Sequence, residues 1–366
     1  MVKDIRLKKE DVFDSARTIL RFIKDYNEDN EEHRFIRKGL FEDLCGKTKE
    51  LNEIKRLLLL APGLISILPE NFGEMLKNEN FEIHNIYFLS DKLKEHRNIG
   101  IITALKKELE CVLLALNLPK NSPPDRDSGN FSYWFSKIER EDKESLSVVA
   151  TIINQPRNVP AVIAVEHLLN HFTIDLMIFI GIAAGPSEKV KLGDFVISDR
   201  VYDYEHVRSE LIKGKIVEKP RPLYIELNNK IRNYLGTFDE NNMLSLFNEL
   251  IDEIPKNDLP KVDLKSINPS YHRGTIIAGE RLFADGRMKE LRETVDERIR
   301  ACDQEDSGFV QACEFRGIDW CIFRGISDYG DPSKNKEWHS LASLSAASAA
   351  KVFLEQFYRL PSETDF

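Results

Sequence analysis

No Cys-x-x-Cys pair occurs in these 366 residues, so a zinc ribbon is not expected. The five cysteines present, Cys45, Cys111, Cys302, Cys313 and Cys321, are odd in number, widely spaced and set mostly among apolar residues. They read as reduced core thiols of a cytoplasmic protein. Basic charge is in deficit: a formal charge of −9 argues against a domain whose main partner is nucleic acid, although a local basic cleft stays open. No apolar run reaches the ~20 residues of a spanning helix. The longest, Leu57 to Leu68, contains Pro62-Gly63 and reads as two core-facing helix ends joined by a turn. The opening MVKDIRLKKEDV is charged from its third residue and lacks an apolar secretory segment, so neither a signal peptide nor a membrane anchor is expected. GIAAGP (181–186) is neither a G-x-G-x-x-G nor a Walker loop, which removes the common dinucleotide and P-loop sites. His167 and His171 stand four apart on an expected helix, but without an H-E-x-x-H pattern they read as a solvated helix face rather than a metal site. Internal repeats and low-complexity tracts are absent as well.

What is present is the composition of a globular protein with a sizeable core, 42% apolar and 31% charged. The length suits one large domain with an appendage, because single cores stop growing near ~250–300 residues. Residues 8–95 carry helical spacing, as in Val12, Ala16, Ile19, Leu20 and Ile23, and predict an all-helical N-terminal domain over 1–95. Its polar stretch 26–34 reads as an inter-helix loop, and 90–97 as a linker. After Arg97, β-rich and helical runs alternate: strand 99–104, helix 106–116, strand 146–153, helix 159–172 and strand 176–181. Further strands are expected at 194–198, 274–278, 299–304 and 319–326, with a closing helix over 338–358. This alternation implies an α/β domain over 97–360, with a mixed central sheet flanked by helices. The polar, partly helical segment 220–270 reads as an insertion over the sheet edge.

In such sheets ligands bind beyond the carboxyl ends of the strands, and three acids fall there. Glu108 follows IGIITA by one helical turn, Glu305 follows RIRACDQ, and Asp328 closes WCIFRGISD. Taken singly, each has an ordinary reading: a turn or cap residue for Asp328, an exposed helical acid for Glu108, and a first-turn acid for Glu305.

Their setting changes that reading. IGIITALKKELE (99–110), IFIGIAAGPSEKVKLGDFVIS (178–198), GTIIAGERLF (274–283), CDQEDSGFVQAC (302–313) and RGISDYGD (324–331) follow one another in order. Together they resemble the nucleoside phosphorylase and nucleosidase superfamily, in particular its methylthioadenosine/adenosylhomocysteine nucleosidase-like branch, over about residues 97–358. The resemblance implies that Glu108 positions and activates a water and that Glu305 accepts the ribose 2′- and 3′-hydroxyls. Asp328 would protonate the purine at N7, with Ser327 and Arg324 in support. Phe283 and Leu282 would border the purine, Gln304 and Ala104 would complete the binding set, and Gly181 and Gly185 would form a glycine turn that lets the backbone approach the sugar.

The chemistry requires such residues. Cleaving an N-glycosidic bond produces an oxocarbenium-like sugar and a poor leaving group, so the base must be protonated while water is held on the opposite face. Asp328 can serve as the acid only where burial, or a neighbour such as Asp331, favours its protonated form. Three positions depart from the family pattern and leave the substrate open: Ala184-Gly185 stands for small-Gly-Gly, Gln304 for an apolar residue, and Leu282 for an aromatic one.

The expected activity is hydrolysis of a purine nucleoside or nucleotide to free base and sugar, with neither metal nor organic cofactor. A phosphate-dependent phosphorylase and a catalytically silent nucleotide-binding or assembly module are the alternatives. A helical appendage on a nucleosidase core also resembles defence effectors that deplete cellular nucleotides such as ATP, and Lys106, Lys107, Arg157, Arg281 and Arg287 near the expected site suit phosphates. A small-molecule purine substrate, a homo-oligomer and a regulatory partner bound through residues 1–95 complete the expectations.

Overall fold

The computed structural model describes residues 95–359, apart from residues 142, 154, 222 and 282 and the side chains of residues 95 and 265. The expected helical domain and Leu282 therefore lie outside the described residues. In chain order the elements are β1 (Glu95–Thr103), α1 (Lys106–Ala115), β2 (Arg126–Ser128), β3 (Phe131–Ile138), β4 (Leu146–Ile152), α2 (Asn158–His171), β5 (Phe172–Ala184) and β6 (Phe195–Asp203). There follow β7 (Val207–Ile212), β8 (Lys215–Pro220), β9 (Tyr224–Glu226), α3 (Asn229–Leu235), α4 (Glu240–Leu250), β10 (Tyr271–Ala278), α5 (Met288–Thr294), β11 (Ile299–Asp303), α6 (Asp306–Arg316), β12 (Asp319–Asp328) and α7 (His339–Val352).

One mixed sheet runs in the order β11-β10-β6-β12-β5-β1-β4-β3-β2, with β9 added to β6, while β7 and β8 pair only with each other. β1 with β4, β5 with β12, and β10 with both β6 and β11 are parallel; β12 with β6 is antiparallel. The central strands β5 and β12 read as nearly continuous apolar runs because helices cover both of their faces. Adjacent residues of β12 show this directly, since successive side chains of a strand point to opposite faces. Arg324 meets Asp306 of α6, whereas Gly325 backs onto α7, where a Cβ would run into the Ala342 carbonyl oxygen. Accordingly α6 packs with α2, and α7 with α1. The serine- and alanine-rich α7 permits that close approach, and it is buried from Ser340 to Val352.

The expected strands and helices after Arg97 are present with somewhat different ends, and three features were missed. β2 and β3 extend the sheet beyond β4 and place Phe131 and Tyr133 against α2. The face bearing His167 and His171 is consequently packed rather than solvated: the two rings stack at 4.5 Å, and Ser128 Oγ lies 3.0 Å from His171 Nε2. Segment 220–270 does not lie over a sheet edge: β9 pairs with β6 at 200–202, next to where β12 pairs at 195–197, and α4 packs against α7. The β7–β8 hairpin exposes most of its residues and so lacks the alternation by which a strand is recognised. Cys111, Cys302, Cys313 and Cys321 are buried free thiols, as expected of core residues.

Candidate active site

The ends of β1, β5, β11 and β12 converge. Ala184, the last residue of β5, pairs with Cys302 of β11 on one side and Asp328 of β12 on the other. Glu108 stands in the first turn of α1 and folds back over the end of β1, where its Oε2 accepts the Ala104 and Leu105 amides, both at 2.8 Å. Its Oε1 accepts the Ile182 amide at 2.9 Å, tying α1 to β5. The carboxylate thus consumes the free amides of a helix N-terminus, a favourable place for negative charge.

Arg324 is fully buried at the centre of this group. Its Nε donates to Asp306 Oδ2 at 3.1 Å, its Nη2 pairs with Asp303 and Asp306, and Glu305 Oε2 lies 3.8 Å away. The guanidinium carbon sits 4.3 Å above the Phe179 ring. Nη1 is buried beside Glu108 Oε1 and has no hydrogen-bond partner among the described residues. Asp303 and Asp306 were not singled out in the sequence. Their pairing with Arg324 arises from strand register, which no local spacing reveals.

One cation therefore faces Glu108, Asp303, Glu305 and Asp306, all buried. Four carboxylates cannot all remain charged against a single guanidinium in so dry a place, and the ionisations follow. Burial pushes the Glu108 carboxyl up against the opposing pull of Arg324 and its amides. Asp303 is raised well above the carboxylate range by burial, opposed by Arg324 and reinforced by Asp306 and Glu305. Glu305 is pushed up to about 7 by burial, with Arg324 opposing and Glu108 and Asp306 adding to it. Burial alone would disfavour the Arg324 cation, but Asp303, Asp306 and Glu305 more than offset it and keep the guanidinium protonated.

Glu305 occupies the N-cap position of α6, and its Oε1 accepts the Arg157 amide at 3.1 Å. Arg157 adopts φ 117°, a conformation rare outside glycine, which accompanies the turn of its N–H toward Glu305. The Arg157 side chain points instead toward Glu280, at 3.9 Å. Asp328 Oδ1 accepts the Gly330 amide at 2.9 Å, and Oδ2 accepts Ser327 Oγ at 3.0 Å and Lys334 Nζ at 3.1 Å. Asp331 does not bear on Asp328 as expected; its carboxylate is engaged by the Ser333 amide and hydroxyl in the following turn. Lys334 is a functional candidate that the sequence did not disclose, because it lies in a polar loop with no periodicity.

The remaining expected residues take varied places. Ala104 contributes its amide to Glu108, and Gln304 Nε2 donates to the Glu280 carbonyl at 2.9 Å. Phe283 is buried against Tyr204, ring centres 4.7 Å apart, with Arg287 at 5.1 Å over its face. It forms one wall of a cavity of about 980 Å³, lined also by Arg281 and Arg287, whose lining does not include Glu108, Glu305 or Asp328. Gly181 is not part of a turn: it lies within β5, and the space of its missing side chain holds Arg324 Nη1 and Glu108. Gly185 is tightly packed: a Cβ there would run into Val190 and come close to Ile326 and the Arg300 carbonyl. Lys106 pairs with Glu110 at 3.6 Å and Lys107 with Asp258 at 2.7 Å. No cluster of three or more metal-ligating side chains occurs among the described residues, nor any helix long and apolar enough to cross a membrane.

Residues 98–358 match the family described as Phosphorylase superfamily. The chain belongs to that superfamily. Among relatives, it is 30% identical over 308 residues to ATP nucleosidase Cap17 of Escherichia coli (strain KTE188), covering 83% of this chain and 59% of that protein. Over 265 residues, 72% of this chain and 99% of the relative, it is 23% identical to the 5′-methylthioadenosine/S-adenosylhomocysteine nucleosidase of Haemophilus influenzae (strain PittEE). The crystal structure of the Helicobacter pylori nucleosidase of the same name superposes with a TM-score of 0.50 at 15% identity, over 72% of this chain and 100% of that one. This phosphorylase-superfamily chain therefore shares the mixed α/β fold of the nucleosidase-like branch, and it spans 59% of the length of Cap17.

Proposed function

We propose that this site hydrolyses the N-glycosidic bond of a purine nucleoside or nucleotide. The observation that carries the reading is that Glu108 and Glu305 meet at the fully buried Arg324 of β12, while Asp328 ends the same strand where it pairs with the last residue of β5. Glu108 holds a water at the anomeric carbon. The water oxygen bonds to that carbon as the carbon–nitrogen bond breaks and its electron pair leaves with the base. Asp328 gives its proton to the base, and Glu108 takes one from the water. Glu305 accepts the ribose 2′- and 3′-hydroxyls, which orients the sugar and fixes its attack geometry. The excess of carboxyl groups over cations favours a sugar that becomes positively charged on the way to cleavage.

The relative named ATP nucleosidase supports a nucleotide substrate, and with it a role in nucleotide depletion. The decisive assay incubates the full-length protein with adenosine, guanosine, AMP, ATP and methylthioadenosine and follows free base by chromatography. Release of adenine or guanine from at least one of them is expected. No release from any would remove the enzymatic reading in favour of a silent binding module.

A further inference from the structure

Asp328 is the acid of the proposed reaction, yet both of its oxygens are occupied by donors. Gly330 N–H binds Oδ1, and Ser327 Oγ and Lys334 Nζ bind Oδ2. A carboxyl group has about four acceptor sites, so these three donors leave one open on Oδ1, and withdrawal of a donor from Oδ2 would open one there as well. Of the three donors Lys334 is the charged one and the one on a long flexible stem; the Ser327 hydroxyl can also turn, to the Ala183 carbonyl 3.4 Å away. The Gly330 amide belongs to the backbone turn and Ser327 to β12 itself, whereas Lys334 extends a flexible stem from the loop between β12 and α7 and is about a quarter exposed (27%).

The surroundings indicate what would draw it away. His339 at the start of α7 feels Asp328, Lys334 and Lys336 of the loop, and Lys107 in the first turn of α1, which is itself paired with Asp258. Lys107 and His339 belong to the side of the sheet where α1 packs against α7; α6, whose N-cap is Glu305, packs with α2 on the other. A ribose held by Glu305 at its 2′ and 3′ edge turns its 4′ and 5′ edge toward this cationic side. In a chain of net charge −9 such a concentration is not background. Burial holds the His339 imidazole below its usual range, Asp328 opposes this, and Lys334, Lys107 and Lys336 reinforce it, so the group is already crowded with positive charge. An incoming phosphate relieves that crowding.

We propose that Lys334 selects 5′-phosphorylated substrates by exchanging partners: it leaves Asp328 for a substrate phosphate, and the site it vacates on Oδ2, beside the Ser327 hydroxyl, is the one from which the proton passes to the base. This rests on the hydrolytic reading above. A nucleoside without phosphate leaves Lys334 on Asp328 and reacts slowly, although it fits the same sugar and base contacts. Selectivity thus resides in the catalytic step as well as in binding, the form of specificity in which the correct substrate completes the site.

The test compares adenosine, AMP and ATP on the full-length wild-type protein and on Lys334→Gln and Lys334→Arg, with thermal melts as a control for folding. The wild type is expected to cleave at least one of the two nucleotides with a higher kcat/KM than adenosine. Lys334→Gln should lower kcat/KM for that nucleotide roughly tenfold to a hundredfold, the scale of one lost charged hydrogen bond. Adenosine should be cleaved no more slowly than before and with a higher kcat, and Lys334→Arg should keep the nucleotide preference. A wild type that favours adenosine overturns the proposal without any variant, and this holds even if Lys334→Gln fails to fold. Parallel losses on nucleotide and nucleoside would reduce Lys334 to a support for Asp328 and also overturn it, leaving hydrolysis intact. Absence of base release from all three by the wild type would overturn it together with the hydrolytic reading for these substrates.

Discussion

Arg324 Nη1 fills the space that a side chain on Gly181 would occupy. The two residues are register partners on β12 and β5, and a Cβ at 181 would press into the guanidinium while lying 2.8 Å from Glu108 Oε1. The glycine therefore lets the buried cation and Glu108 approach one another, and this requirement is separate from any need for backbone freedom.

Gly181→Ala is expected to displace Arg324 or Glu108. Overpacking of this kind costs about 1–3 kcal/mol, and misplacement of a catalytic group by ~1 Å costs about a hundredfold in rate. Activity should therefore fall further than a melting curve suggests. Comparing kcat/KM with the thermal midpoint checks this, and a variant with near wild-type turnover would mean that the Gly181 contact is incidental.

Asp328→Asn should fold and lose most of its turnover, because a positioned proton donor contributes roughly 10²–10⁴-fold. The amide still accepts from Gly330 or Ser327 through its oxygen, but it presents Nδ2 to one of their donors and loses the ion pair with Lys334. More than about a tenth of wild-type turnover, far outside that expected loss, would reassign the acid.

Glu305 makes stability and activity depend on pH in opposite senses. Its carboxyl is pushed up to about 7 from 4.5, burial being the main cause. The native state then holds the proton more tightly than the unfolded chain, so the stability linked to this group is fully present below 4.5 and is lost as pH rises through about 7. Accepting ribose hydroxyls needs the carboxylate, so kcat/KM should climb over the same interval. Melts and rates measured between about pH 5 and 8 test both limbs. Glu305→Gln should flatten the stability profile and depress kcat/KM at every pH; a wild-type profile without either slope would remove Glu305 from this role.

The central sheet was readable because β5 and β12 are long apolar runs and because Glu108, Glu305 and Asp328 each follow such a strand. Contacts made by register were not readable. Asp303 and Asp306 reach Arg324 only once β11 and β12 both end beside β5, and the sequence separation between residues 306 and 324 carries no periodic signal. Lys334 and the β7–β8 hairpin were missed for a related reason: polar, exposed segments obey no burial pattern, so their positions depend on the fold around them.

Water rather than phosphate should accept the sugar. A phosphorylase must seat a dianion beside the anomeric carbon, and the segment after the first strand here reads ITALKKELE, without arginine or a Gly-Asp-Pro turn. The two lysines in it are engaged elsewhere, Lys106 with Glu110 and Lys107 with Asp258. In the proposed site the position next to the anomeric carbon falls to Glu108, whose carboxylate already takes the Ala104, Leu105 and Ile182 amides that an anion would otherwise use. Base release should thus be indifferent to added phosphate, and the sugar product should lack a 1-phosphate. Glu108→Gln should still bind substrate but lose roughly 10²–10⁴-fold in turnover. Its amide nitrogen would face at least one of those three N–H groups, at a cost of about 1–3 kcal/mol in stability. Dependence of base release on phosphate, with a sugar 1-phosphate found by mass spectrometry, would turn the assignment from hydrolase to phosphorylase.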